Sequence, residues 1–142
     1  MMQLDDLYRR VIMDHYKNPR NKGKFEDGGV TVDLNNPTCG DRISLQLKIE
    51  DGIVKDARFS GEGCSISMSS ASMMTEAVKG RTYEEALDMA NRFSLLMQGE
   101  SVDFDDYDYE DIEALSGVCK FPARIKCATL AWNALKKGID EE

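Results

Sequence analysis

The sequence predicts an α+β fold, in which helices cover a small three-stranded antiparallel sheet. Three runs of alternating apolar residues follow one another between residues 30 and 59, separated only by short turns. This order is typical of an antiparallel meander. Apolar residues at helical spacing occur before and after that region. The 142 residues fit a single domain, residues 1–142.

A first helix is predicted where apolar residues and one histidine recur at helical spacing: Leu4, Leu7, Tyr8, Val11, Ile12 and His15. Asn18-Pro19 should end this helix, because proline restricts the residue before it. His15 is the only histidine. Since it continues the apolar stripe, we expect a packed, hydrogen-bonded core residue rather than a metal ligand.

The three strands are bounded by turn signals. Asn36-Pro37 should end the first strand, which begins at Val30. The second strand carries alternating apolar residues: Ile43, Leu45, Leu47 and Ile49. Asp51-Gly52 predicts a tight hairpin turn, so residues 53–59 form the third strand.

A helix over residues 65–79 is expected after the flexible loop Gly61-Glu62-Gly63, with Gly80 ending it. Its three methionines, Met68, Met73 and Met74, are expected to fill the core. Its serines, at positions 65, 67, 69, 70 and 72, are expected to be surface or capping residues.

Two more helices are predicted toward the C-terminus. Thr82 and Glu85 form a capping-box pattern that opens a helix reaching about Met97. Pro122 suits the first turn of the last helix, and Gly138 is expected to stop it.

Charge is concentrated in one segment. Residues 100–113 carry eight acidic side chains and no basic one, and the rest of the chain carries 18 acidic and 18 basic residues, so this segment accounts for the net charge of −8. Proteins that bind nucleic acid normally carry a basic face, so this acidic balance argues against nucleic acid as a partner. The segment is expected to be a loop or irregular helix. Either a solvated loop or a docking surface for a basic partner is compatible with its composition.

The sequence also predicts where the protein works. No apolar run approaches the roughly 20 residues that a membrane helix requires. The opening residues lack the basic and apolar regions of a secretory signal. The predicted location is therefore the cytoplasm, where cysteines serve metal or thiol chemistry more often than disulfides.

Three of the four cysteines fall where they could converge. Cys39 and Asp41 lie in the turn between the first two strands, Cys64 follows the third strand, and Cys127 lies on the last helix. A meander brings the end of its first strand and the end of its third strand to the same side of the sheet, so Cys39 and Cys64 could approach each other. Three thiolates and one carboxylate suit zinc, and thiolates also hold iron–sulfur clusters. Buried, inert thiols remain an equal alternative on spacing alone. Cys119 is interpreted as a bystander.

Four motifs resemble the NifU/IscU N-terminal scaffold family, and most closely its SufU branch: LYRRVIMDHYKNPRN, NNPTCGD, GEGCSIS and FPARIKCATLAW. The resemblance covers essentially the whole chain and implies a SufE/NifU-like fold. It also implies that Cys39, Asp41, Cys64 and Cys127 surround a metal ion or a nascent cluster.

Two features favour the SufU branch. Lys126 occupies the position before Cys127 where IscU-type proteins have histidine, and the acidic segment extends the chain. The resemblance then implies a zinc-dependent sulfurtransferase that accepts persulfide sulfur from a SufS-type cysteine desulfurase, with Cys39 as the acceptor. Arg124, one turn before Cys127, would stabilise thiolate or persulfide charge, although an exposed helix arginine is an equal reading from the residues alone.

Two other functions stay open. The first is a scaffold on which an iron–sulfur cluster is assembled and passed to other cluster assembly proteins. The second is a structural zinc domain that acts as an adaptor. Asp41 argues against a closed structural site, in which thiolate and imidazole ligands dominate.

Overall fold

The computed structural model describes residues 4–25, 29–37 and 40–140, with side chains in the first helix from Tyr8 onward. The elements in chain order are α1 (Leu4–Lys17), β1 (Val30–Asn36), β2 (Asp41–Glu50), β3 (Ile53–Glu62), α2 (Ser65–Val78), α3 (Tyr83–Met97) and α4 (Pro122–Asp140). Two 3₁₀ segments, Asp105–Tyr107 and Asp111–Lys120, precede α4.

The three strands form one antiparallel sheet in the order β1-β2-β3, which confirms the predicted α+β meander. Asp51 and Gly52 in the hairpin both have positive φ angles, 54° and 74°, as an Asp-Gly turn of this kind requires. β3 runs to Glu62, three residues beyond the predicted end. Gly61 permits this, because a Cβ there would overlap the carbonyl oxygen of Arg42 on β2.

The inward face of the sheet packs against α2 and α4, and the core lies between these layers. α1 packs on α2, and α3 packs on α4, where the rings of Phe93 and Trp132 stack with centroids 5.0 Å apart. The predicted capping box of α3 is confirmed, with Thr82 and Glu85 bonded reciprocally. No helix in the described ranges is both long and apolar enough to cross a membrane.

The prediction that α4 stops at Gly138 is wrong, because the helix continues to Asp140. A Cβ at Gly138 would lie 2.7 Å from Leu47 Cδ1 and 3.3 Å from Val32 Cγ2. The glycine therefore allows α4 to approach the sheet closely, rather than ending the helix.

The expected exposure of the α2 serines is also wrong. Four of them are fully buried: Ser67, Ser69, Ser70 and Ser72. α2 contacts β3, α1, α4 and a 3₁₀ segment, so little of its surface faces water. Small hydroxyl side chains permit these close contacts and bond locally, as when Ser70 Oγ donates to Ala128 O at 2.6 Å. The three methionines of α2 lie in the core as predicted.

The acidic segment is an irregular, partly 3₁₀ structure, as predicted. Arg92 of α3 binds the Asp106 carboxylate through two hydrogen bonds of 2.6 and 2.9 Å. The buried Tyr107 donates its hydroxyl to Asp88 at 2.6 Å. Part of the segment is therefore attached to α3 by the Asp106 carboxylate and the Tyr107 hydroxyl.

Candidate metal centre

Three of the predicted site residues converge in space. One ligand atom from each of Asp41, Cys64 and Cys127 lies within 4.8 Å of the others. Asp41 is the first residue of β2, Cys64 immediately precedes α2, and Cys127 lies in the second turn of α4. The pairing of Arg42 with Glu62 explains part of this convergence, because it brings the start of β2 beside the end of β3.

Asp41 is completely buried, and its two carboxylate oxygens have different surroundings. Oδ1 accepts a hydrogen bond from the backbone amide of Cys64 at 3.0 Å. Oδ2 is buried and has no hydrogen-bond partner among the described residues. A buried, unsatisfied carboxylate oxygen is energetically costly unless it is coordinated. Since a carboxylate oxygen of Asp41 also lies within 4.8 Å of the two sulfur atoms, the side chain fits a metal ligand.

Gly63 allows the Asp41 carboxylate to lie close to the backbone that precedes α2. A Cβ at position 63 would lie 2.5 Å from Asp41 Oδ1, which is closer than real Cβ contacts occur. From the sequence, this glycine was expected only to make the loop before Cys64 flexible. The available signal was its position directly before a candidate ligand.

Cys64 is the N-cap residue of α2, and its Sγ accepts a hydrogen bond from the backbone amide of Ser67 at 3.5 Å. The exposed amide groups and dipole of a helix N-terminus stabilise negative charge on such a group. Cys64 as a residue is half-buried, in contrast to the fully buried Asp41 and Cys127.

Cys127 is fully buried, and its Sγ lies 3.8 Å from the carbonyl oxygen of Ala123. A thiolate at this depth requires a compensating positive charge, which a metal ion supplies. Two sulfurs and one carboxylate oxygen match the donor types of four-coordinate zinc, which takes one further ligand.

Cys39, the predicted fourth ligand and sulfur acceptor, lies outside the described residues. The chain is described on both sides of it, where Gly40 donates its amide to the carbonyl oxygen of Asn36 at 2.9 Å. The roles of Cys39 therefore stay predictions.

Arg124 is an exposed residue of the first turn of α4, and its role toward the sulfurs stays a prediction. Cys119 is half-buried in the 3₁₀ segment Asp111–Lys120 and does not belong to the cluster of ligand atoms.

His15 lies outside the candidate metal centre, and its predicted core role is confirmed. It is 1% exposed. Its Nδ1 lies 2.8 Å from Ser72 Oγ, and its Nε2 lies 2.8 Å from Asp111 Oδ2. The imidazole thus joins α1, α2 and the second 3₁₀ segment.

Comparisons with known proteins show the family of the chain. The family model described as the NifU-like N-terminal domain matches residues 7–141. The zinc-dependent sulfurtransferase SufU of Bacillus subtilis is 65% identical over 139 residues, which cover 98% of this chain and 93% of that protein. The iron–sulfur cluster assembly scaffold protein IscU of Streptococcus pyogenes is 49% identical and covers 98% of this chain and 86% of its own length.

A solved structure from Fervidobacterium islandicum has the same fold. It superposes with a TM-score of 0.86 at 30% identity, covering 96% of this chain and 99% of the other. That protein is described as a proposed scaffold for iron–sulfur cluster assembly in the SUF system.

Proposed function

The chain belongs to the family of NifU-like N-terminal domains, and we propose that it is a zinc-dependent sulfurtransferase for iron–sulfur cluster assembly. The sulfur donor would be a cysteine desulfurase of the SufS type, which carries sulfur as a cysteine persulfide. The observation that carries the proposal is the cluster of Asp41, Cys64 and Cys127, in which one carboxylate oxygen is buried without a hydrogen bond.

Zinc would be held by Asp41, Cys64 and Cys127, with Cys39 as the fourth ligand. Cys39 is only two residues from Asp41 in the sequence, so the chain can reach the cluster from that side. Bound zinc would keep its cysteine ligands deprotonated at neutral pH.

Sulfur transfer follows the chemistry of thiol–disulfide exchange. The thiolate of Cys39 attacks the terminal sulfur of the donor persulfide. A new S–S bond forms on Cys39, the S–S bond of the donor breaks, and the donor cysteine leaves as a thiolate. Electrons and atoms balance without an external oxidant or reductant.

The other residues would assist without accepting sulfur. The Asp41 carboxylate and the Cys127 sulfur are buried and would retain the metal. Arg124 precedes Cys127 by three residues on α4, so its guanidinium would offset negative charge that develops on the thiolate or persulfide.

The second candidate function is a scaffold on which an iron–sulfur cluster is assembled. The 49% identity to the scaffold protein IscU of Streptococcus pyogenes favours it. Lys126 argues for sulfur transfer, because a lysine side chain offers only hydrogen-bond donors and no acceptor nitrogen that could replace a histidine ligand. Metal analysis of protein purified without air separates the two functions. Tightly bound zinc supports sulfur transfer, whereas iron, sulfide and a visible chromophore support the scaffold.

Persulfide transfer from the cognate desulfurase, followed by mass analysis of each cysteine, tests the proposed function. We expect one added sulfur atom on Cys39 and loss of transfer in Cys39→Ala. Cys119→Ala is the matched control and should accept sulfur normally. A Cys39→Ala protein that still stimulates the desulfurase fully would show that the acceptor is another residue.

A further inference from the structure

A groove of about 730 Å³ opens beside the candidate metal centre. Residues of α1, the first turn of α2, the 3₁₀ segment Asp111–Lys120 and the start of α4 line it. Two of these residues connect it to the metal-binding residues. Ser65 directly follows Cys64, and Arg124 lies one helical turn before Cys127.

The lining is largely apolar and partly open to solvent. Ile12, Met13 and Ile66 are half-buried, and Phe121 is 61% exposed, more than any other large hydrophobic residue that the structure describes. An apolar surface of this kind beside a reactive site is typical of a place where a partner docks.

The charge of the groove is opposite to that of the whole protein. Arg9, Lys120 and Arg124 line it, and no aspartate or glutamate does so among the described residues. The chain as a whole has a net charge of −8. Neither Arg9 nor Lys120 forms an ion pair with a described carboxylate. The groove therefore complements an apolar segment that carries carboxylates.

We propose that this groove binds an apolar, acidic segment of the protein that donates sulfur. The inference rests on the proposed function, because it assigns the groove to the donor of that reaction. A segment bound there would contact the first turn of α2 and the start of α4. It would therefore place its protein directly over the elements that carry Cys64 and Cys127.

Gly117 permits a specific test. It lines the groove, and a Cβ at this position would meet nothing within 4 Å. Gly117→Leu should therefore fill the groove without disturbing the packing around it, and Gly117→Ala is the matched control. Lys120→Glu tests the charge of the groove. Its control is Lys55→Glu, the same change of charge at an exposed position on β3.

The experiment measures stimulation of the cognate desulfurase over a range of carrier concentrations, together with direct binding by titration calorimetry. We expect Gly117→Leu and Lys120→Glu each to raise the half-saturating concentration and the Kd by about tenfold or more. The two controls should stay within about twofold of the parent. Added salt should weaken binding of the parent more than binding of Lys120→Glu. Zinc content should be unchanged in all four variants.

The outcomes separate the two proposals. If the parent accepts sulfur but Gly117→Leu and Lys120→Glu bind the desulfurase as tightly as it does, the groove assignment is wrong and the proposed function stands. If the parent does not bind the desulfurase, both are wrong. If sedimentation shows a dimer of the parent that Gly117→Leu dissociates, the occupant is a second copy, and assignment to the donor is overturned.

Discussion

The carboxylate of Asp41 accepts the backbone amide hydrogen of Cys64 through Oδ1, at 3.0 Å. The same carboxylate leaves Oδ2 buried without a hydrogen-bond partner in the described part of the chain. One side chain thus fixes the backbone before α2 and also presents a ligand atom beside two sulfurs. These two tasks can be separated by substitution.

Replacing Asp41 by asparagine should weaken zinc binding without destabilising the metal-free protein. The amide oxygen can still accept from Cys64, and a buried negative charge is removed, so metal-free Asp41→Asn should be at least as stable as the parent. Zinc affinity should fall by at least about tenfold, since even groups that only orient ligands contribute that much. Competition with a chelator and denaturant unfolding measure the two effects.

Asp41→Ala provides the comparison. It leaves the Cys64 amide without its acceptor, which should cost about 1–3 kcal/mol of unfolding free energy in the metal-free protein. An Asp41→Asn protein that binds zinc as tightly as the parent would remove Asp41 from the ligand set.

Gly63→Ala should damage the metal centre although it replaces no ligand. The added Cβ would lie 2.5 Å from Asp41 Oδ1, so the carboxylate or the backbone must move. We expect a loss of about 1–3 kcal/mol in unfolding free energy, as for other overpacked sites, together with weaker zinc binding. Gly117→Ala, where the Cβ meets open space, should change neither quantity. Equal behaviour of the two alanine variants would contradict the close approach of Gly63 to Asp41.

His15→Phe should lower stability and leave zinc binding intact. The substitution keeps a ring in the core but removes the bonding partners of Ser72 and Asp111. Ser72 retains the amide hydrogen of Arg20, which donates to its Oγ at 2.8 Å, so the loss should be about 1–3 kcal/mol. The neighbouring Tyr16→Phe, at an exposed side chain, should stay within about 0.5 kcal/mol of the parent. A zinc-free His15→Phe protein would instead identify His15 as a ligand.

Asp106 should make stability depend on pH in the acid range. Hydrogen bonding to Arg92 lowers the pKa of Asp106 from its ordinary value of 3.8. Because the folded-state pKa lies below the unfolded one, this contribution is fully present well above pH 3.8 and is lost as pH falls through the folded-state pKa.

Asp106→Asn should therefore be less stable than the parent near neutral pH, and the difference should shrink below about pH 4. Chemical denaturation at a series of pH values measures it. Asp108→Asn is the control, since Asp108 is exposed and forms no ion pair in the described ranges. Its free energy of unfolding should change with pH in the same way as that of the parent. A constant difference between Asp106→Asn and the parent would contradict the coupling to Arg92.

Local sequence patterns were sufficient to predict most of the fold. Alternation in β2, the Asp51-Gly52 turn and the pairing of Thr82 with Glu85 each involve residues a few positions apart, so the sequence predicts them directly. Gly138 was misassigned because glycine serves two purposes, ending a helix and permitting close approach. Only the position of Leu47 on another element distinguishes them.

The sequence by itself determined the meander, the order of the helices and the identity of the ligand candidates, since these depend on residue type and short-range periodicity. Only the tertiary structure decided that ligand atoms of Asp41, Cys64 and Cys127 lie within 4.8 Å of one another. It also decided that one oxygen of Asp41 is buried without a hydrogen bond, and that the Asp41 carboxylate lies where a Cβ at Gly63 would overlap it. These relationships join residues more than 20 positions apart, and they arise from the packing of α4 and the β2–β3 register, which no local pattern contains.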